Sequence, residues 1–128
     1  MTLVRLVAVA LGGAVGAVAR YALSGWVSAV TRSSPFPYGT LSVNVAGAAL
    51  LGLVMGATTA GRLMISPSWR AFLTIGLLGA FTTFSTFGYE TVQAARLGDF
   101  RVAFANLAVS LVLGLGACWI GLKLGRMV

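Results

Sequence analysis

Histidine is absent from this 128-residue chain, cysteine occurs once, and the only acids are Glu90 and Asp99. Within one copy that stock of groups cannot assemble a paired-carboxylate site or a side-chain metal cluster, which leaves enzymatic chemistry without its usual carriers. The lone thiol, Cys118, cannot close an intrachain disulfide. It sits among Gly114, Gly116, Ala117 and Trp119 and reads as a small core residue. Proline is scarce too, with three in the chain, all outside the long apolar runs, so none of those runs carries a built-in helix breaker.

What the chain does have is apolar surface. Hydrophobic residues make up 59% of it and charged residues only 9%, with a mean hydropathy of +0.97. A soluble domain of this size could not hide so much of it. Four apolar blocks, over residues 3–30, 40–59, 72–91 and 102–124, each meet the ~20 residues a helix needs to cross the hydrocarbon. Connectors at 31–37, 61–68 and 95–99 hold the breakers and several of the charges. Residues 1–128 therefore read as a single all-α domain of four transmembrane helices in a lipid bilayer, with no soluble module and no internal repeat. A cleaved leader is the rival for the first block, because Arg5 precedes the apolar run and Ala17-Val18-Ala19 resembles a cleavage site. The chain stays apolar past Arg20 to Trp26 and Val27, so a retained first helix explains more of the residues.

The net charge of +7 does not point to nucleic acid, since the basic residues are scattered along the chain rather than clustered. Counted by membrane side, Arg5, Arg62, Arg70, Lys123 and Arg126 flank one face, while Arg32, Arg96 and Arg101 flank the other with Arg20 near it. This positive-inside bias is weak. Insertion in both orientations, with two copies pairing head to tail, stands beside a single orientation with the N-terminus inside. Four short helices have little room to enclose a polar path, which favours an oligomer either way. The small-xxx-small pairs Gly12/Gly16, Gly52/Gly56 and Gly121/Gly125 let backbones approach closely and read as packing features rather than proof of a dimer face.

The most unusual stretch is Gly79-Ala80-Phe81-Thr82-Thr83-Phe84-Ser85-Thr86-Phe87-Gly88-Tyr89-Glu90, hydroxyls and phenyl rings inside an apolar segment. Such a run at bilayer depth points to a permeation path. Phe84 and Phe87 share a helical face, and Phe81 extends that row one turn earlier. Their positive ring edges can contact an anion without a full charge; equally, an aromatic stripe can simply pack a core. Asn44, an amide within the second block, needs partners there and can donate to an anion or bond to a neighbouring helix. Thr40 lies four residues earlier on the same face. Arg20 either snorkels to the interface or raises the potential for anions at a pore mouth. Glu90 is placed to pair with a basic residue, and Asn106 and Ser110 share a face that lines a path or holds helices together.

Gly39-Thr40-Leu41-Ser42-Val43-Asn44, the 79–87 run with Glu90-Thr91, and Gly12-Gly13-Ala14-Val15-Gly16-Ala17 followed by Arg20 resemble the CrcB/Fluc family of fluoride channels over essentially the whole length. The resemblance implies a passive, fluoride-selective, non-enzymatic channel in the cell (inner or plasma) membrane that lets cytoplasmic fluoride escape and so confers fluoride resistance. It implies an antiparallel, dual-topology homodimer with two pores and a third helix broken near its middle. It also implies a structural sodium ion (Na+) at the dimer interface, held by backbone carbonyls at positions matching Gly79 and Thr82. By motif position Phe84 and Phe87 are the pore-facing phenylalanines, Asn44 the amide that helps coordinate fluoride, and Ser110 a hydroxyl of the polar track. Thr40 and Thr83 add hydroxyls to that pore, and Arg20 is a candidate charge at its mouth.

Gly88, Asn106 and Gly114 depart from the family pattern, where serine, an aromatic hydroxyl and serine are respectively common, so the track here is poorer in hydroxyls. Two other functions compete. A small multidrug exporter would need a membrane carboxylate in its first helix to carry protons, and the first block contains no acid. A non-transporting assembly subunit explains the glycines but leaves Asn44 and the Thr/Ser/Phe run without a purpose.

Overall fold

The computed structural model describes residues 2–128, and all regular structure among them is helical. Helix α1 covers Leu3–Val30 and α2 covers Tyr38–Thr59. The third span begins with Pro67–Arg70, continues as the π-helical segment Ala71–Leu77 and finishes with Leu78–Phe81; together these form α3, over residues 67–81. Two extended residues, Thr82 and Thr83, interrupt it before α4 resumes at Phe84–Arg96. The last span is α5, Phe100–Met127. The spans Leu3–Val30, Tyr38–Thr59, Pro67–Arg96 and Phe100–Met127 are each long and apolar enough to cross a bilayer, as the four apolar blocks require, and the chain is a multi-pass membrane protein.

Helix ends follow local chemistry. Ser66 accepts a hydrogen bond from the Trp69 N–H with Pro67 at the first helical position, and Asp99 accepts from Val102 N–H to start α5. Gly61 (φ 69°) and Gly98 (φ 85°) take the left-handed backbone that turns the chain after α2 and α4. These caps carry the third span beyond its apolar block, to Pro67 at one end and Arg96 at the other.

Two glycine seams fix the bundle. On α2 and α5, a Cβ at Gly52 would strike Cys118 O, at Gly56 Leu122 O, at Gly121 Ala49 O and at Gly125 Leu53 O, so the two backbones lie against each other. On α1 and α3, Gly12 faces Phe72 O, Gly16 faces Leu77 O, and a Cβ at Gly76 would lie 2.7 Å from Val9 O. All three small-xxx-small pairs are thus used inside one chain. The π-helical segment sits at the second seam, where its glycine brings α3 up to α1.

Candidate functional site

A break in a membrane helix strands backbone groups that lipid cannot satisfy, so their partners reveal what the break is for. Thr82 (φ −89°, ψ 159°) and Thr83 (φ −149°, ψ 113°) are both extended. Asn44 of α2 meets the second of them with both ends of its amide: Nδ2 donates to Thr83 O at 3.0 Å, and Oδ1 accepts from Thr83 N–H at 2.7 Å. Thr83 Oγ1 in turn accepts from Thr86 N–H at 3.2 Å and donates to Thr86 Oγ1 at 2.9 Å, capping α4. In an unbroken helix the N–H groups of Thr83 and Thr86 would bond the carbonyls of Gly79 and Thr82. Both donors are diverted, which frees those two carbonyls at the middle of the span.

Asn44, Gly79, Thr82, Thr83 and Phe84 line one cavity of about 300 Å³ beside the break. Arg20, Thr40 and Thr83 line a second, of about 220 Å³, with Tyr21, Ser24 and Thr86, so Thr83 borders both. Arg20 therefore stands at the inner end of this arrangement, well inside α1, and the arginine bordering the wide cavity by the 31–37 connector is Arg32. That cavity, about 640 Å³, also has Gln93, Glu90 and Asp99 on its walls.

The two phenylalanines sit side by side, ring centroids 5.7 Å apart, in very different surroundings. Phe87 is 9% exposed and packs the bundle, whereas Phe84 is 83% exposed on the surface of the single chain. Phe81 does not extend their row: it ends α3 before the extended pair, and helical spacing does not cross that gap. Among the described residues Glu90 is not paired with a basic residue either. The α2–α4 packing brings Thr40 to it instead, with Thr40 Oγ1 donating to Glu90 Oε1 at 2.8 Å, while Glu90 Oε2 is buried without a partner.

Ser110 lies away from both small cavities, at one end of a chain of hydrogen bonds. Its Oγ donates to Asn106 Oδ1 at 3.2 Å, Asn106 Nδ2 donates to Thr91 Oγ1 at 2.9 Å, and Thr91 Oγ1 donates to Phe87 O at 2.7 Å. Asn106 is 1% exposed, so this chain runs through the protein interior and ends on the backbone of Phe87. Thr91 is a member that sequence reasoning passed over; its place four residues after Phe87, on the same face, was the available signal. Among the described residues no group of three or more His, Cys, Asp or Glu gathers as a metal site, so any cation here would rest on backbone oxygen.

The chain is similar to known proteins over most of its length. Residues 7–122 match the family model described as CrcB-like protein, Camphor Resistance (CrcB). The chain is 48% identical over 123 residues to a protein of Geobacter sulfurreducens named "Fluoride-specific ion channel FluC", covering 96% of this chain and 98% of that one. It is 46% identical over 119 residues to "Fluoride-specific ion channel FluC 1" of Symbiobacterium thermophilum, covering 93% and 95%. With a protein of Acidobacterium capsulatum, also named "Fluoride-specific ion channel FluC", it shares 43% identity over 120 residues, covering 94% of each.

Proposed function

This chain belongs to the CrcB-like protein family, and from that membership we propose that it is a fluoride-selective channel through which fluoride leaves the cytoplasm passively. It is not an enzyme. The observation that carries the reading is the break at Thr82 and Thr83: irregular backbone at membrane depth is tolerated only where protein buries it or it lines a cavity, and here it borders two small ones, a mainly apolar one into which Asn44 brings its amide and a more polar one beside Arg20 and Thr40.

Fluoride must shed water to enter a narrow path, and the lining must replace that water. One N–H of the Asn44 amide is held by Thr83 O, which leaves the second free to donate. The hydroxyls of Thr40 and Thr83 can rotate from their present partners toward a passing anion, Ser110, away from these two cavities, would serve a separate stretch of the path, and the edges of Phe84 and Phe87 offer weak positive potential that does not trap the ion. Arg20 adds positive potential beside Thr40 and Thr83. Chloride is larger and would fit such a lining poorly, which is the source of selectivity.

A second copy completes the path. Phe84 is exposed on one chain, and a pore wall built from it needs a facing surface; an antiparallel homodimer supplies that surface from the same residues and fits the weak charge bias. The freed carbonyls of Gly79 and Thr82 are hard oxygen donors suited to sodium, and the site fits a structural Na+ held between the two breaks.

The test is efflux from liposomes containing the purified protein, followed with a fluoride electrode and repeated with chloride inside. Rapid fluoride loss with chloride retained is expected. A folded, reconstituted protein that releases no fluoride would sink the proposal.

A further inference from the structure

The side of the bundle where α1 and α3 begin carries a feature that anion conduction does not use. Beyond the seam at Gly12 and Gly76, a groove of about 880 Å³ opens between α1, α2 and α3, walled by Leu6, Val9, Met55 and Ile75 and flanked by Arg5 and Arg70. Its volume lies within the ~300–1,000 Å³ of ordinary ligand sites. Both arginines are exposed. No side-chain carboxylate serves them, because the two acidic residues, Glu90 and Asp99, border a different cavity among the ends of α1 and α4 and the start of α5. Arg5 also lies in the first turn of α1, whose positive end reinforces its guanidinium charge.

Depth decides what fits. Arg5 and Arg70 stand where helices enter the membrane, at the level of the headgroups, while Val9 and Ile75 lie four and five residues further in, about 6–8 Å deeper. The groove is thus cationic at the headgroup and apolar below it. We propose that it binds an anionic phospholipid, with the phosphate between Arg5 and Arg70 and an acyl chain along Leu6, Val9, Met55 and Ile75. A bare phosphate would leave the apolar floor uncovered, and a zwitterionic lipid would bring its own cation to the two arginines.

The test uses the purified full-length protein in neutral detergent, mixed with phosphatidylglycerol or phosphatidylcholine of equal chain length, with retained lipid counted by native mass spectrometry. Phosphatidylglycerol should be retained several-fold over phosphatidylcholine. Arg5→Gln with Arg70→Gln should reduce phosphatidylglycerol retention more than tenfold, at about fivefold per arginine, without changing helical content. Lys123→Gln with Arg126→Gln, on the same membrane side but outside the groove, should leave retention unchanged. If the double groove variant does not fold, Arg5→Gln alone decides, through its own roughly fivefold loss. Equal retention of the two lipids, or retention indifferent to the groove arginines, overturns the proposal. So does displacement of the lipid by millimolar inorganic phosphate, which would make the groove a simple anion site.

Discussion

Replacing Asn44 by alanine tests the site at its most economical point, because one side chain holds both backbone groups of Thr83. The substitution removes the bonds of 3.0 Å and 2.7 Å and leaves the Thr83 N–H and C=O without their partner in a largely dry environment. A net hydrogen bond is worth about 1 kcal/mol and an unsatisfied buried group costs about 1–3 kcal/mol more, so an overall loss of about 3 kcal/mol is reasonable once partial relaxation is allowed. For a domain of this size that corresponds to a fall of roughly 10 °C in the midpoint of thermal unfolding in detergent. Fluoride efflux should fall at least about tenfold, since a drift of the break by an ångström misplaces Phe84 and the Thr83 hydroxyl together. Asn44→Asp keeps the acceptor for Thr83 N–H and removes the donor, so its stability should lie between alanine and asparagine. An Asn44→Ala protein that melts within about 2 °C of wild type and conducts within about twofold of it would refute both roles of the amide.

Phe84→Ala should abolish most fluoride flux while leaving the single chain folded, because that ring is exposed; Phe87→Ala, at a buried ring, should cost about 3–5 kcal/mol, read as loss of folded protein on size-exclusion chromatography. Gly121→Ala and Gly125→Ala should each destabilise by about 2 kcal/mol or more, because the new methyl meets backbone oxygen of Ala49 or Leu53. Gly114→Ala meets nothing within 4 Å and should raise stability by up to about 1 kcal/mol; thermal melts that rank the three alike would contradict the seam. Thr40→Val removes the one hydrogen bond to Glu90 and should cost about 1–3 kcal/mol and slow efflux, with Thr40→Ser restoring both; a valine variant indistinguishable from wild type would show that this contact is idle.

Membrane class, four spans and the absence of catalytic groups were legible because composition and run length report them directly. The pinning of Thr83 was only half legible. Asn44 announced itself as an amide needing partners inside an apolar block, but that both partners are backbone groups of a single residue 39 positions away depends on how α2 packs, which no local pattern encodes. Glu90 failed in the same way: opposite charge suggested a basic partner, whereas helix packing delivered Thr40. Phe81 failed for a different reason, because residues three apart share a face only while the helix is continuous, and two extended residues follow it. The π-helical turn was not read from the sequence; it lies where Gly12 and Gly76 bring α3 against α1, a tertiary fact.

The glycine seams bear on how two copies would meet. A small-xxx-small pair can support close approach to one neighbour at a time, and here each pair already lies against a helix of its own chain: Gly12 and Gly16 on α3, Gly52 and Gly56 on α5, Gly121 and Gly125 on α2. The proposed dimer therefore cannot be held by backbone-to-backbone glycine packing at those positions. Among the groups the single chain leaves available near the break are the exposed ring of Phe84 and the freed carbonyls of Gly79 and Thr82. Those are also the groups assigned to the pore and to sodium, so in this reading the contact that joins two copies and the path that conducts fluoride are built from one short segment, residues 79–84. Under the proposed dimer, economy of that kind would explain how a chain of 128 residues forms a selective path: one copy would supply half a wall, and the break that exposes it would also supply the means to meet the other half.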